Sequence, residues 1–207
     1  MDLDYPWLWR WEPFDPAKVV EVMHGCDVPW WVAGGWALDL FLGSETRPHA
    51  DLDIAMLRRD QAALRDHLKE WDLRYATPDH RLEPWQQGRL LKLPLHAIWA
   101  RRTPEAPWLC EFLLSDEAEG CWVFGGSPSV RLPLAEVGQP ATSGLPILAP
   151  EIVLLFKADD PKPKDEADFE AVVPRLSPLR REWLANAIQH CHPGHRWIPR
   201  LSADRSF

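Results

Sequence analysis

Residues 32–54, VAGGWALDLFLGSETRPHADLDI, decide the fold. With the two tryptophans before it, the beginning reads as a short buried strand running into Gly34-Gly35. WALDLFLG then reads as a helix ended by Gly43. After the loop SETRPHA, DLDIAML alternates Asp51 and Asp53 with Leu52 and Ile54, the period of a strand. Two carboxylates one residue apart on a strand leave the same face, about 6 to 7 Å apart along the chain. They supply the hard oxygen ligands that Mg²⁺ requires and leave positions open for phosphate. A glycine pair opening a helix lets backbone approach phosphates where the helix terminus carries partial positive charge. Taken singly, Asp-x-Asp is also a common solvated edge and Gly-Gly a common tight turn. The order strand, Gly-Gly, amphipathic helix, a loop holding Arg47 and His49, and a strand carrying two aspartates is what chance does not readily reproduce.

Upstream, MDLDYPWLWRWEPFDP has no clear period and reads as an extended arm over the body. Residues 16–25 read as a helix with Asp15 as cap, Pro16 in the first position and Val19, Val20, Val22 and Met23 as its apolar stripe. Downstream, residues 59–70 resume helical spacing. Short apolar or alternating runs at 72–76, 93–100, 108–115, 121–124 and 129–132 read as strands of a mixed sheet. The loop TPDHRLEPWQQG between the first two is a candidate lid or rim. From Pro150 the character changes: PEIVLLFKADD, KDEADFEAVV and LRREWLANAIQH read as three helices with proline-bearing breaks. The expected division is therefore 1–146 as an α/β unit and 147–207 as a helical region, both able to pack around one core.

The 207 residues carry 23 Lys and Arg against 31 Asp and Glu, a formal charge of -8, which does not advertise nonspecific affinity for nucleic acid. A small or cationic substrate suits that balance better, although solubility alone explains such an excess equally well. Cys26, Cys110, Cys121 and Cys191 are scattered without paired spacing and follow no secretory leader, so reduced thiols and a cytoplasmic setting are expected. No apolar run approaches 18 residues, and no membrane span is expected. Thirteen tryptophans are read mainly as core and loop anchors.

The stretch quoted at the outset resembles the signature of the polymerase-β-like nucleotidyltransferase superfamily. It is specifically similar to the aminoglycoside 2''-adenylyltransferase and lincosamide nucleotidyltransferase group. The match covers residues 31–54, and a weaker likeness extends through LAPEIVLLFKADDPKPKDEADF to the end. The resemblance implies an α+β fold, with a mixed β-sheet flanked by helices and a C-terminal helical segment. It also implies an enzyme in which a substrate hydroxyl attacks the α-phosphorus of a nucleoside triphosphate, expected to be ATP. By the same resemblance Gly34 and Gly35 contact the triphosphate, Asp51 and Asp53 hold two Mg²⁺ ions, and a third acid on a later strand completes the site or serves as base. Glu111, in WLCEFLLSD, is the best third acid: a charge among Cys110, Phe112 and Leu113 needs a partner such as a metal. Alternation alone equally allows it to face solvent. The family often has Asp in this role, and Glu reaches one methylene further. Arg47, by resemblance, with Lys157 and Lys164, are the candidates to neutralise the triphosphate; Lys164 and Asp165 also read as a solvent-facing helix start.

The expected partners are a nucleoside triphosphate and a small hydroxyl-bearing acceptor, aminoglycoside-like by analogy, with no membrane, and with nucleic acid disfavoured but left open. Trp85, Trp99 and Trp108 could line an acceptor pocket, though core packing accounts for each equally well. A macromolecular acceptor, tRNA or protein, would need a basic groove, for which the sequence offers Arg58-Arg59, Arg101-Arg102 and Arg180-Arg181. A noncatalytic binding protein of the same fold is the remaining alternative, and the clustered acids argue against it. His49 could orient a carboxylate or merely bond backbone. In CHPGHRW a zinc site is thinly supported, and His195 and Trp197 are expected to pack the last helix.

Overall fold

The computed structural model describes residues 10–125 and 127–202. The chain builds, in order, α1 (Lys18–Val22), β1 (Trp30–Val32), α2 (Gly34–Leu42), β2 (Asp53–Leu57), α3 (Gln61–His67), β3 (Asp72–Ala76), β4 (Leu82–Pro84), β5 (Ala97–Arg101), β6 (Cys110–Ala118), β7 (Cys121–Phe124) and β8 (Ser127–Pro133). It continues with β9 (Gly138–Pro140), β10 (Pro146–Leu148), α4 (Pro150–Lys157), α5 (Pro163–Val172), α6 (Pro178–Cys191) and α7 (Ile198–Ser202). The architecture is α+β, a mixed sheet with helices. The main strands run β4-β3-β5-β6-β2-β1-β10-β9, parallel at β2/β6 and β1/β10 and antiparallel elsewhere. The long β6 then leaves this path, and its second half pairs with β7, which pairs with β8.

Local chemistry explains the elements around β2. Gly43 ends α2 in the left-handed conformation, φ 79°, where its N–H and that of Ser44 both reach the Asp39 carbonyl. Proline occupies the first turn of α4, α5 and α6, where its missing N–H costs nothing. The Asp165 carboxylate accepts the Lys162 N–H at the start of α5, and Ser177 caps α6. The helix expected at 16–25 is shorter, Lys18–Val22, because Gly25 at φ 81° stops it.

Several expectations are corrected. Residues 93–96 are not strand: β5 starts at Ala97, and the preceding prolyl loop is drawn toward Arg58, which donates to the Leu91 and Leu95 carbonyls. TPDHRLEPWQQG is no lid, since its middle forms β4 at the far edge of the sheet and Trp85 is buried against the core. The division expected at 146/147 falls inside β10, which pairs with β1 through Val32 and Ile147. Residues from the sheet and from α4, α5 and α6 share one hydrophobic core that includes Val32, Ile54, Ile152, Phe169 and Leu184. Of the arm, residues 1–9 lie outside the described residues. Residues 10–14 are extended beside β6, with backbone bonds from Glu12 to Trp108, Phe14 to Leu109 and Trp108 to Arg10. Among the described residues no helix is long and apolar enough to cross a membrane, and the four cysteines are free thiols.

Candidate active site

Strand register places the acids. Asp53 opens β2 and lies directly across from Glu111 on the parallel neighbour β6, and Glu111 lies across from Trp99 on β5. Cross-strand partners share a face and adjacent strands run about 4.8 Å apart, so Asp53, Glu111 and Trp99 form one row. Asp51 precedes β2 rather than lying on it. The alternation nevertheless holds: Leu52 and Ile54 are fully buried, Asp51 is exposed and Asp53 half-buried. The Leu52 carbonyl accepts the Glu111 N–H and the Asp53 carbonyl accepts the Ala33 N–H, which pins the acidic segment to its neighbours on both sides.

The row is electrostatically loaded. Burial, and then the charge of Asp51, push the Asp53 carboxyl up to about 7 against the pull of Lys157 and Lys164. Burial and the neighbouring Asp53 push Glu111 up to about 8, although the Trp99 indole hydrogen-bonds it and pulls the other way. Two crowded carboxylates that resist joint ionisation form a donor set suited to a hard cation, and one or two carboxylates plus substrate phosphates are a usual Mg²⁺ environment. Among the described residues no three acidic, imidazole or thiol side chains converge as a complete ligand cage.

The glycine pair has specific neighbours. Gly34 sits at φ 58°, and a Cβ there would collide with Asp53 Oδ2; a Cβ on Gly35 would meet Arg47 Nη2 and the His49 ring. Both positions are thus packed beneath the Asp53, Arg47 and His49 side chains at the start of α2. Arg47 is turned to α5, where Nε and Nη2 each donate to Asp168 at 3.1 Å, and this pairing raises its pKa. Its Nη1 lies 3.1 Å from His49 Nδ1. Arginine only donates, so Nδ1 accepts and the ring proton resides on Nε2, which donates to Asp39 Oδ2 at 2.6 Å. His49 orients Asp39, not Asp51 or Asp53, and Asp39 also accepts from Thr46.

Lys157, the last residue of α4, is held by Asp165 at 2.6 Å and by Asp168 at 3.1 Å. It lines a chamber of about 530 Å³ together with Gly34 and Asp53. Lys164 acts on Asp53 through its charge. Sequence reading missed Asp39 and Asp168. The available signal for the second was the spacing of Asp165 and Asp168, which puts both on one face of α5.

The aromatic expectations are corrected. Trp85 and Trp108 are core residues, and Trp99 is braced edge-on between Trp11 and Trp108. The chamber wall is Trp122, Phe124 and Phe156 instead. The basic pairs are taken up internally: Arg58 binds Asp116, Arg59 Glu117, Arg101 Asp72, and Arg180 Glu151, while Arg102 covers Trp71, and in the Arg101–Asp72 pair the fully buried partner is Arg101. At the C-terminal end, Trp197 is fully buried and stacks on Phe169, with His195 edge-on to it.

The aminoglycoside-2''-adenylyltransferase family model matches residues 17–92, from α1 through the acidic segment to the loop after β4. Among solved structures, ANT(2'')-Ia in complex with adenylyl-2''-tobramycin superposes with a TM-score of 0.56 at 17% identity, covering 84% of this chain and 95% of that one. A solution structure of the antibiotic-resistance factor ANT(2'')-Ia gives 0.55 at 18%, covering 84% and 89%. The lincomycin-bound lincosamide antibiotic adenylyltransferase LnuA gives 0.53 at 15%, covering 79% and 97%. No curated protein matches significantly. The resemblance read from residues 31–54 and the nucleotidyltransferase fold are therefore both borne out.

Proposed function

We propose that the chain transfers a nucleoside monophosphate, AMP by analogy with the adenylyltransferases it resembles, from a nucleoside triphosphate to a hydroxyl of a small molecule. The observation that carries this reading is the row formed by Asp53 and Glu111 beside Gly34 and Lys157. Asp51, Asp53 and Glu111 are the residues that would hold Mg²⁺, which supplies Lewis-acid stabilisation of charge on phosphate oxygens when bound. Lys157 and Lys164 neutralise the triphosphate, and the N-terminus of α2 adds its partial positive charge. Arg47 acts at one remove, because its guanidinium pairs with Asp168 and packs over Gly35 away from the chamber, whereas Lys157, although paired with Asp165 and Asp168, lines the chamber beside Asp53.

In the reaction the acceptor oxygen forms a bond to the α-phosphorus and the bond to the pyrophosphate oxygen breaks, with pyrophosphate leaving. Glu111 accepts the hydroxyl proton, and its raised affinity for protons makes it a stronger base than an ordinary carboxylate. Arg58, Arg59, Arg101 and Arg180 are each ion-paired with a carboxylate of this chain, which favours a small acceptor over tRNA or a protein. The test is pyrophosphate release and label transfer from ATP with Mg²⁺ present, comparing the wild type with Asp53→Asn. Metal-dependent nucleotide binding and transfer that disappear in the variant support the reading. Absence of any metal-dependent nucleotide binding to the wild type overturns it.

A further inference from the structure

The lining of the chamber beside the acids bears on the class of acceptor, an inference that rests on the transferase reading above. Its floor is Ala55 and Leu113, each two residues beyond Asp53 and Glu111 and therefore on the same face of the same two strands. Its wall is a cluster of Trp122, Phe124 and Phe156, with ring centroids 5.1 to 6.3 Å apart. Phe156 is half-exposed on α4, apolar area that the described residues leave partly uncovered. Among the described residues the buried Trp122 indole N–H has no hydrogen-bond partner.

Charge decides between acceptor classes. The carboxylates lining the chamber are Asp53, which belongs to the reaction centre, and Asp116. Asp116 receives Nε and Nη2 of Arg58, at 2.6 and 3.2 Å, and is thereby neutralised. A polyamine entering here would shed water from several ammonium groups and find, among the described lining residues, no carboxylate outside the reaction centre that is not already ion-paired, a cost that cation–π contact with Phe124 and Phe156 offsets only in part. An apolar ring or alkyl group would instead gain roughly 25 cal/mol for each Å² it buries.

We infer that the acceptor is an amphipathic molecule with a hydroxyl-bearing end at Asp53 and Glu111 and an uncharged ring or alkyl end between Phe124, Phe156 and Leu113, not a polycation. The acidic balance of the whole chain does not bear on this, because the chamber's own wall is apolar.

The experiment is calorimetric titration of the protein, saturated with Mg²⁺ and a non-transferable ATP analogue, using lincomycin as the amphipathic probe and tobramycin as the polyamine. Lincomycin should bind at least about tenfold more tightly, and Phe156→Glu should weaken it by a similar factor. Phe156 is half-exposed, so that variant should fold, which its thermal transition checks. Equal or tighter binding of tobramycin, binding of neither probe, or an unchanged lincomycin affinity in Phe156→Glu overturns the inference. The nucleotide titration that precedes it separates the two claims. Nucleotide binding without selective acceptor binding leaves the transferase reading standing, whereas failure to bind nucleotide removes both.

Discussion

The Asp53 carboxylate occupies the space that a side chain at position 34 would need, so the glycine and the acid are a matched pair. Gly34→Ala would force φ 58° on an alanine, costing about 1 to 2 kcal/mol, and would also displace Asp53. The thermal midpoint should fall by only a few degrees. Transfer should fall by about 100-fold or more, because a misplaced reacting geometry costs far more than the strain itself. Parallel calorimetry and pyrophosphate release would check the contrast; equal small losses in both would show that Asp53 tolerates displacement.

Asp53 and Glu111 also set a pH dependence in the metal-free protein. Their folded values of about 7 and about 8 lie above the ordinary 3.8 and 4.5. Between these limits the folded state holds protons that the unfolded state has released. Stability therefore declines as pH rises from about 4 to 8. Asp53→Asn removes much of the charge crowding, so metal-free thermal scans should show a flatter profile and a higher midpoint than wild type at pH 8. The same variant should lose Mg²⁺-induced stabilisation, which in wild type grows with pH as the acids ionise. A wild-type midpoint that climbs steadily from pH 5 to 8 without metal would contradict this coupling.

How far these relationships could be read from sequence follows from their range. Strand, Gly-Gly, helix and acidic strand were legible because alternation, the Gly43 stop and the glycine pair are all local signals. Asp53 and Glu111 are 58 positions apart, and only their register across β2 and β6 brings them together. The strands β9 and β10 are three residues each, GQP and PIL, too short and too rich in proline to signal themselves. Their place in the sheet comes from the parallel pairing of β10 with β1, a long-range event. Which aromatics wall the chamber was left open for a related reason. Composition identifies tryptophans as anchors, but the departure of β6 toward β7 and the rotation of α4 decide that Trp122, Phe124 and Phe156 wall the chamber while Trp85 and Trp108 fill the core.

Asp168 ties two cations together, with Oδ2 at 3.1 Å from both Arg47 Nη2 and Lys157 Nζ. Asp168→Asn keeps the shape and removes the charge. Breaking a buried pair costs about 3 to 5 kcal/mol; the partial exposure of Arg47 and Lys157 lowers the expected loss to roughly 2 kcal/mol. Lys157 keeps Asp165 at 2.6 Å, so the nucleotide KM should rise by less than about tenfold. Denaturant midpoints and steady-state kinetics would measure the two effects. A large kcat loss with unchanged stability would instead place Asp168 at the reacting atoms.

Trp99 offers the most selective probe of Glu111, because its indole bond favours the ionised carboxylate and opposes the upward push from burial and Asp53. Trp99→Phe removes the donor but keeps an aromatic ring to pack against Trp11 and Trp108. Glu111 should then hold its proton to a higher pH. As the base, it must be ionised to accept the acceptor's proton, so the acid limb of the kcat/KM profile should move to higher pH. The shift should be about 0.5 to 1 unit, the size of one hydrogen bond at 1.36 kcal/mol per unit. Rates on the alkaline plateau should change little, since there the carboxylate is ionised in both proteins. The pH profile distinguishes this from a packing defect: lost packing lowers the whole curve without moving the limb, and that outcome would remove Glu111 from the role of base.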